Sequence, residues 1–87
     1  MKIKKGDYVK VKSRSWYNSN KDENGNIWNY WCFCKEMQQF CGKILEVTKV
    51  EDNVIYTKGT GSYVWQDWML EGIVVMDSIK CIPFSLV

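Results

Sequence analysis

Between Asp7 and Met76, apolar residues recur with the two-residue period of a strand and scarcely anywhere with the 3.6-residue period of a helix, and Gly, Asn and Asp interrupt them at short intervals. A chain written this way can hide its apolar side chains only by pairing short strands. Asp7–Ser13 alternates cleanly, with Val9 and Val11 on one face and Tyr8, Lys10 and Lys12 on the other. Gly6-Asp7 reads as its turn-like entry. Residues 15–26 form a polar loop in which Asn24-Gly25-Asn26 is the strongest turn signal. Ile27–Phe33, rich in β-branched and aromatic residues, reads as a second strand or an extended arm. Lys35–Cys41 is the one helical turn, because Met37, Phe40 and Cys41 fall at i, i+3 and i+4 and Gly42 follows as a C-terminal cap.

Beyond Gly42 the grammar is that of hairpins. Lys43–Val50 is a strand with Leu45 and Val47 inward, and Val50 returns inward after an irregularity. Glu51-Asp52-Asn53 turns the chain into Val54–Lys58, Gly59-Thr60-Gly61 turns it again, and Tyr63–Gln66 is a third strand. Asp67–Leu70 is a one-turn connector with Asp67 as its cap. Gly72–Met76 reads as a buried strand, and Ile79–Val87 as an edge strand interrupted by Pro83. The expectation is a mainly β protein: one small antiparallel barrel of five to six short strands with one short helical turn. Its core is Val9, Val11, Leu45, Val47, Ile55, Trp65, Ile73 and Val75. Residues 14–34 are an aromatic-rich insertion and 71–87 a C-terminal strand extension.

Composition agrees. At 87 residues the chain is one domain with a small core, which five Trp, five Tyr and three Phe make dense. A hydrophobic content of 46% excludes intrinsic disorder. No apolar run approaches the roughly 18–20 residues that span a bilayer, and Ile3-Lys4-Lys5-Gly6-Asp7 does not continue as a secretory signal. The expectation is a cytoplasmic protein with no membrane partner. Net charge is +2, unevenly spread: residues 1–14 carry six bases and one acid, residues 15–87 six bases and nine acids. The basic segment is either a weak pointer to a polyanion or the solvated face of an edge strand guarded by lysine.

Three blocks resemble a known group: Gly6-Asp7-Tyr8-Val9-Lys10-Val11, then Met37-Gln38-Gln39-Phe40-Cys41-Gly42-Lys43, then Tyr63-Val64-Trp65-Gln66-Asp67-Trp68-Met69. Their order is similar to that of small SH3-like barrel proteins of phages, integrated elements and Gram-positive gut bacteria. The resemblance spans residues 6–70 and implies the SH3-like fold. It transfers no catalytic or binding residues. The Ile27–Cys34 segment and the tail beyond Leu70 depart from the pattern.

Catalysis finds little support. The chain has no histidine, so no side chain carries an unperturbed pKa suited to base work near neutrality. Asp67 and Glu71 converge only if their connector is helical, and no glycine-rich phosphate loop is present. Cys32, Cys34, Cys41 and Cys81 are spaced C-x-C-x6-C-x39-C, which lacks the two close pairs of a zinc knuckle. The expectation is free thiols, no metal and no cofactor.

The aromatic residues carry the functional reading. Trp31 and Phe33 share a face with Ile27, while Trp28 and Tyr30 share the other with Cys32, so rings lie on both faces of the arm. Either the arm folds back as a cap on the barrel or one face meets a partner. Trp16, Tyr17, Trp28 and Tyr30 are the expected protein-binding anchors, with Tyr63, Asp67 and Trp68 as a second patch. Tyr63, Trp65, Trp68 and Asp67 are also the set from which a methyl-ammonium cage would be built. A protein partner comes first, which for a phage-like chain would be a host factor. A homodimer is the simplest form, and a nucleic acid held by Lys10, Lys12 and Arg14 beside Trp16 or Tyr17 is the alternative.

Overall fold

The computed structural model describes residues 3–86; Met1, Lys2 and Val87 lie outside the described residues, and with them one basic residue of the N-terminal run and the end of the expected last strand. Among the described residues eight strands form: β1 (Tyr8–Val11), β2 (Ile27–Asn29), β3 (Trp31–Phe33), β4 (Ile44–Glu51), β5 (Val54–Thr57), β6 (Val64–Trp65), β7 (Leu70–Val75) and β8 (Lys80–Pro83). Six of them make one antiparallel sheet in the order β6-β5-β4-β1-β7-β8, and β2–β3 is a separate hairpin. The protein is mainly β, and the large sheet is not closed by backbone pairing between β6 and β8. Among the described residues no helix is long and apolar enough to cross a membrane.

Sequence and register agree closely along the sheet. Asp52 and Asn53 both take positive φ (51° and 65°), which makes the β4–β5 connection a tight two-residue hairpin turn of matching twist. Two bulges then decide which residues face inward. In β4 the pairing passes from Val47↔Thr57 to Lys49↔Tyr56, leaving Thr48 over, so Val50 returns to the core as its position required. In β7 it passes from Lys10↔Gly72 to Val11↔Leu70, leaving Glu71 over, so Leu70 and Ile73 both lie on the side of Val11 and Val9. A β-carbon on Gly72 would run into the Ile82 carbonyl, so β8 can lie against β7 only because that residue is glycine.

Val9, Val11, Leu45, Val47, Ile55 and Trp65 are buried as expected, joined by Tyr17, Phe33, Met37, Met69 and Leu70. Trp65 sits at the centre. Its indole N–H donates to the Thr57 hydroxyl at 2.9 Å, which lies 2.7 Å from the Thr60 hydroxyl, so this ring is buried with its polar edge satisfied.

Several expectations need correction. Val75 is 38% exposed, since β7 at that point has passed the end of β1 and pairs only with Lys80; Ile73 is half-buried. The basic strand β1 is no edge, because β4 and β7 flank it on both sides. Of the expected C-terminal extension, β7 is an interior strand and only β8 is added at the rim. Asp67 does not cap the Asp67–Met69 turn; Gln66 stands at the cap position.

The chain between β1 and β4 is more structured than a loop. Ser13 accepts a hydrogen bond from the Trp16 amide and starts a two-turn helix, α1 (Arg14–Asn20), where the sequence reading had expected irregular chain. The Asp22 carboxylate accepts from the amides of Asn24 and Asn26, and the Asn26 side chain accepts from the Lys35 amide, so the Asn-Gly-Asn turn is tied at both ends. Ile27–Phe33 is two strands in place of one, turned about Tyr30 at φ 64°. The expected helical turn forms as a 3-10 helix over Lys35–Phe40, with Met37 buried and Phe40 and Cys41 packed on the core.

Candidate functional site

The insertion places its aromatic residues at three depths. Tyr17, on the inward face of α1, is 1% exposed and donates its hydroxyl to the Gly25 carbonyl at 2.7 Å. Gly25 is at φ +85°, and a β-carbon there would lie 3.0 Å from Lys35 Cγ and 3.1 Å from the Tyr17 hydroxyl, so the loop closes over the ring only with glycine. Tyr17 is therefore core and not a docking anchor, contrary to expectation. Burial raises its pKa above the ordinary 10.0, with the charges of Cys41, Asp22 and Glu36 acting in the same direction and Arg14 against. Phe33, also fully buried, is the floor: Tyr17, Trp16 and Trp65 meet it at 5.8, 5.2 and 6.0 Å between ring centroids.

On that floor rests the middle layer. Trp16 stands edge-on to Phe33 and lies 6.2 Å from Trp68 at a tilt of 52°. Both indoles are half-buried, and they come from opposite ends of the chain: α1 supplies one and the turn between β6 and β7 the other. The Trp68 ring is fixed by its N–H donating to the Gln66 side-chain carbonyl at 3.0 Å. The Lys12 ammonium lies 5.3 Å from the Trp16 ring centroid, and Asp67 is exposed beside Trp68. The structure thus joins one residue of each expected patch, Trp16 and Trp68, into a single aromatic pair with a cation at one end and a carboxylate next in sequence to the other. Tyr63 takes no part, since its ring packs on Phe40 at 6.3 Å. Trp65 has no exposed surface, which removes it as the wall of a methyl-ammonium cage.

The outermost layer is the β2–β3 hairpin. Trp28 is 66% exposed, Tyr30 101% and Trp31 44%. Trp28 lies opposite Cys32 on the hairpin face turned away from Phe33, so Trp28 and Tyr30 are not part of the Trp16–Trp68 surface. The base of the arm caps the core through Ile27 and Phe33, while Trp28, Tyr30 and Trp31 stand in solvent.

The basic residues disperse. Lys10 lines a shallow depression of about 240 Å³ with Ser13, Glu71, Cys81 and Pro83, Lys12 stands over Trp16, and the Arg14 guanidinium reaches the Gln38 carbonyl at 3.5 Å. Asp67 and Glu71 do not share a helical face, because the turn between them is a single 3-10 turn that passes directly into β7. All four cysteines are free, and among the described residues no three Cys, Asp or Glu side chains gather as metal ligands. Burial, then the hydrogen bond with the Cys34 side chain, pushes the Cys32 thiol up to about 12; burial likewise raises Cys41 and Cys81, opposed by Arg14 and Lys10 respectively. Those three thiols are protonated at neutral pH.

Sequence reasoning missed Phe33 as the floor of the site and Phe40 as the partner of Tyr63. Ser13, an N-cap residue directly before a segment with two large rings, was the available signal for α1 and hence for Tyr17 pointing inward. Compared with protein-family models, curated proteins and solved structures, the chain matches none.

Proposed function

We propose that this chain is a non-enzymatic protein-binding module on an SH3-like barrel, receiving an extended segment of a partner across Trp16 and Trp68. The strand order supports the barrel reading: β4, β5 and β6 form a meander, one 3-10 turn follows, and β7 returns to pair with β1. Carrying the functional reading is the Trp16–Trp68 pair, two half-exposed indoles 6.2 Å apart, Trp16 standing on Phe33 and Trp68 held by its hydrogen bond to Gln66. Rings fixed this way lose little entropy on binding and are the side chains most often found as interface anchors. Lys12 and Asp67 at the margin suit a partner segment that carries both an acid and a base. With the resemblance to phage and mobile-element proteins, the reading extends to a cytoplasmic protein of a bacterial host, bound or inhibited.

The test is selection of extended peptides against the folded protein, followed by titration of the selected peptides. Trp68→Ala and Trp16→Ala should each weaken binding about 30-fold, as removal of an anchor does, with Lys12→Glu reversing any preference for acidic peptides. Peptides that bind both tryptophan variants as tightly as wild type would overturn the reading. Nucleic acid is the second reading, favoured by the cation over Trp16, and opposed by the scatter of Lys10, Lys12 and Arg14. It would displace the first if single strands bound submicromolarly at about 200 mM salt and depended on Lys12.

A further inference from the structure

Among the described residues, both edges of the large sheet are guarded and those of the small one are not. β8, at one rim of the large sheet, carries Lys80 and ends in Pro83, and β6, at the other, is two residues long. Charge, proline and brevity are the usual devices that keep exposed edges from pairing with other chains. The β2–β3 hairpin has neither charge nor proline. From Asn26 to Cys34 no residue is charged, and among the described residues neither outer edge of the hairpin has a neighbouring strand. A two-stranded ribbon of this length is marginal by itself, and its rings remain in water: Trp28 on one face, Trp31 on the other and Tyr30 at the turn.

We propose that two copies of this chain associate through these hairpins, edge to edge, into a four-stranded antiparallel sheet between molecules. A second copy fits the observations for three reasons. Rings on both faces of the hairpin are covered by a partner that joins at its edge and extends both faces, whereas a flat surface would cover one. A two-fold contact sets like against like, and an uncharged stretch does so without repulsion. Trp28, Tyr30 and Trp31 together expose roughly 300–500 Å² of ring surface per copy. Pairing two tips thus covers at most roughly 600–1,000 Å² in total, below the about 1,200 Å² of standard interfaces and in the range of weak, transient association. The dimer is accordingly reversible and concentration-dependent. This inference is separable from the Trp16–Trp68 reading, because it uses different rings, Trp28, Tyr30 and Trp31.

Sedimentation equilibrium of the full chain under reducing conditions tests it. Wild type should rise from monomer to dimer mass with concentration. Asn29→Glu, which keeps every ring and sets two acids against each other, and the double variant Trp28→Ser with Trp31→Ser should each weaken self-association at least about tenfold with unchanged melting temperature. Trp16→Ala, a variant of the peptide-binding surface, should leave the dimer intact. Three outcomes would overturn the proposal: a wild type that stays monomeric to about 1 mM, a dimer indifferent to both hairpin variants, or a monomer that instead co-sediments with anionic phospholipid vesicles through the same rings.

Discussion

The base and the tip of the insertion are equally aromatic and meet opposite fates. At the base, Tyr17 packs on Phe33 and Phe33 on Trp65, leaving almost no ring surface to water; at the tip, a few residues from Phe33 along the hairpin, Trp28, Tyr30 and Trp31 stand in solvent. Composition does not separate them. Position does: Ile27 and Phe33 are paired at the end of the hairpin that touches the sheet, while Asn29 and Trp31 flank the turn at the far end. A ring contributes to folding only if the fold brings other apolar atoms to it.

Substitution should make this contrast quantitative. The largest effect is expected at the base, where Phe33→Ala would leave a cavity among three rings and cost roughly 3–5 kcal/mol; Trp65→Ala, which also removes one of the two hydrogen-bond partners of the Thr57 hydroxyl, should fall in the same range. A loss below about 1 kcal/mol in denaturant unfolding would mean the base is not core. Next comes Tyr17→Phe. It keeps the ring and removes only the hydroxyl that satisfies the Gly25 carbonyl, so urea melts should show a loss of about 1–3 kcal/mol.

The same hydroxyl gives a pH dependence. Its pKa is raised in the folded protein, so the unfolded chain gives up this proton at lower pH than the folded one. Stability from this group is fully present below the ordinary tyrosine range near 10.0 and is lost as pH rises from there through the folded value. The alkaline fall in melting temperature should be smaller in Tyr17→Phe than in wild type; an identical fall would remove Tyr17 as its source. Smallest of all should be the effect of Trp28→Ser at the tip, within about 0.5 kcal/mol in dilute solution. A loss as large as that of Phe33→Ala would erase the distinction between the two regions.

How much of this was readable in advance varies by region. From Lys43 to Trp65 nearly everything was, including the inward return of Val50, because Asp52-Asn53 and the β-branched alternation are local signals that pairing only ratifies. The opposite holds for residues 14–33. There α1 has a good cap but no apolar stripe, and the Ile27–Phe33 run reads equally well as one strand or as a hairpin. Its face assignment nevertheless survives, since a one-residue turn at Tyr30 preserves the alternation. The candidate site was half legible. Trp16 and Trp68 could each be named as exposed-ring candidates, but no local rule joins residues 52 positions apart.

What the sequence by itself determined is the set of elements with strong nearest-neighbour chemistry: the strands, the Asn-Gly and Asp-Asn turns, the short helical turn before Gly42, and the burial of Val9 and Trp65. What only the tertiary structure decided is which of thirteen aromatic rings are hidden. Val75 shows the reason on the smallest scale: its position in the alternation is inward, yet β1 ends before reaching it, and a face is a core only where a second layer covers it. Tyr17 shows the converse. A residue in a polar-looking segment became core because Gly25 let the loop close over it and Phe33 came to lie beneath. Alternation and turn propensity act over a few residues, whereas burial depends on atoms brought together from across the chain, and that information exists only once the chain has folded.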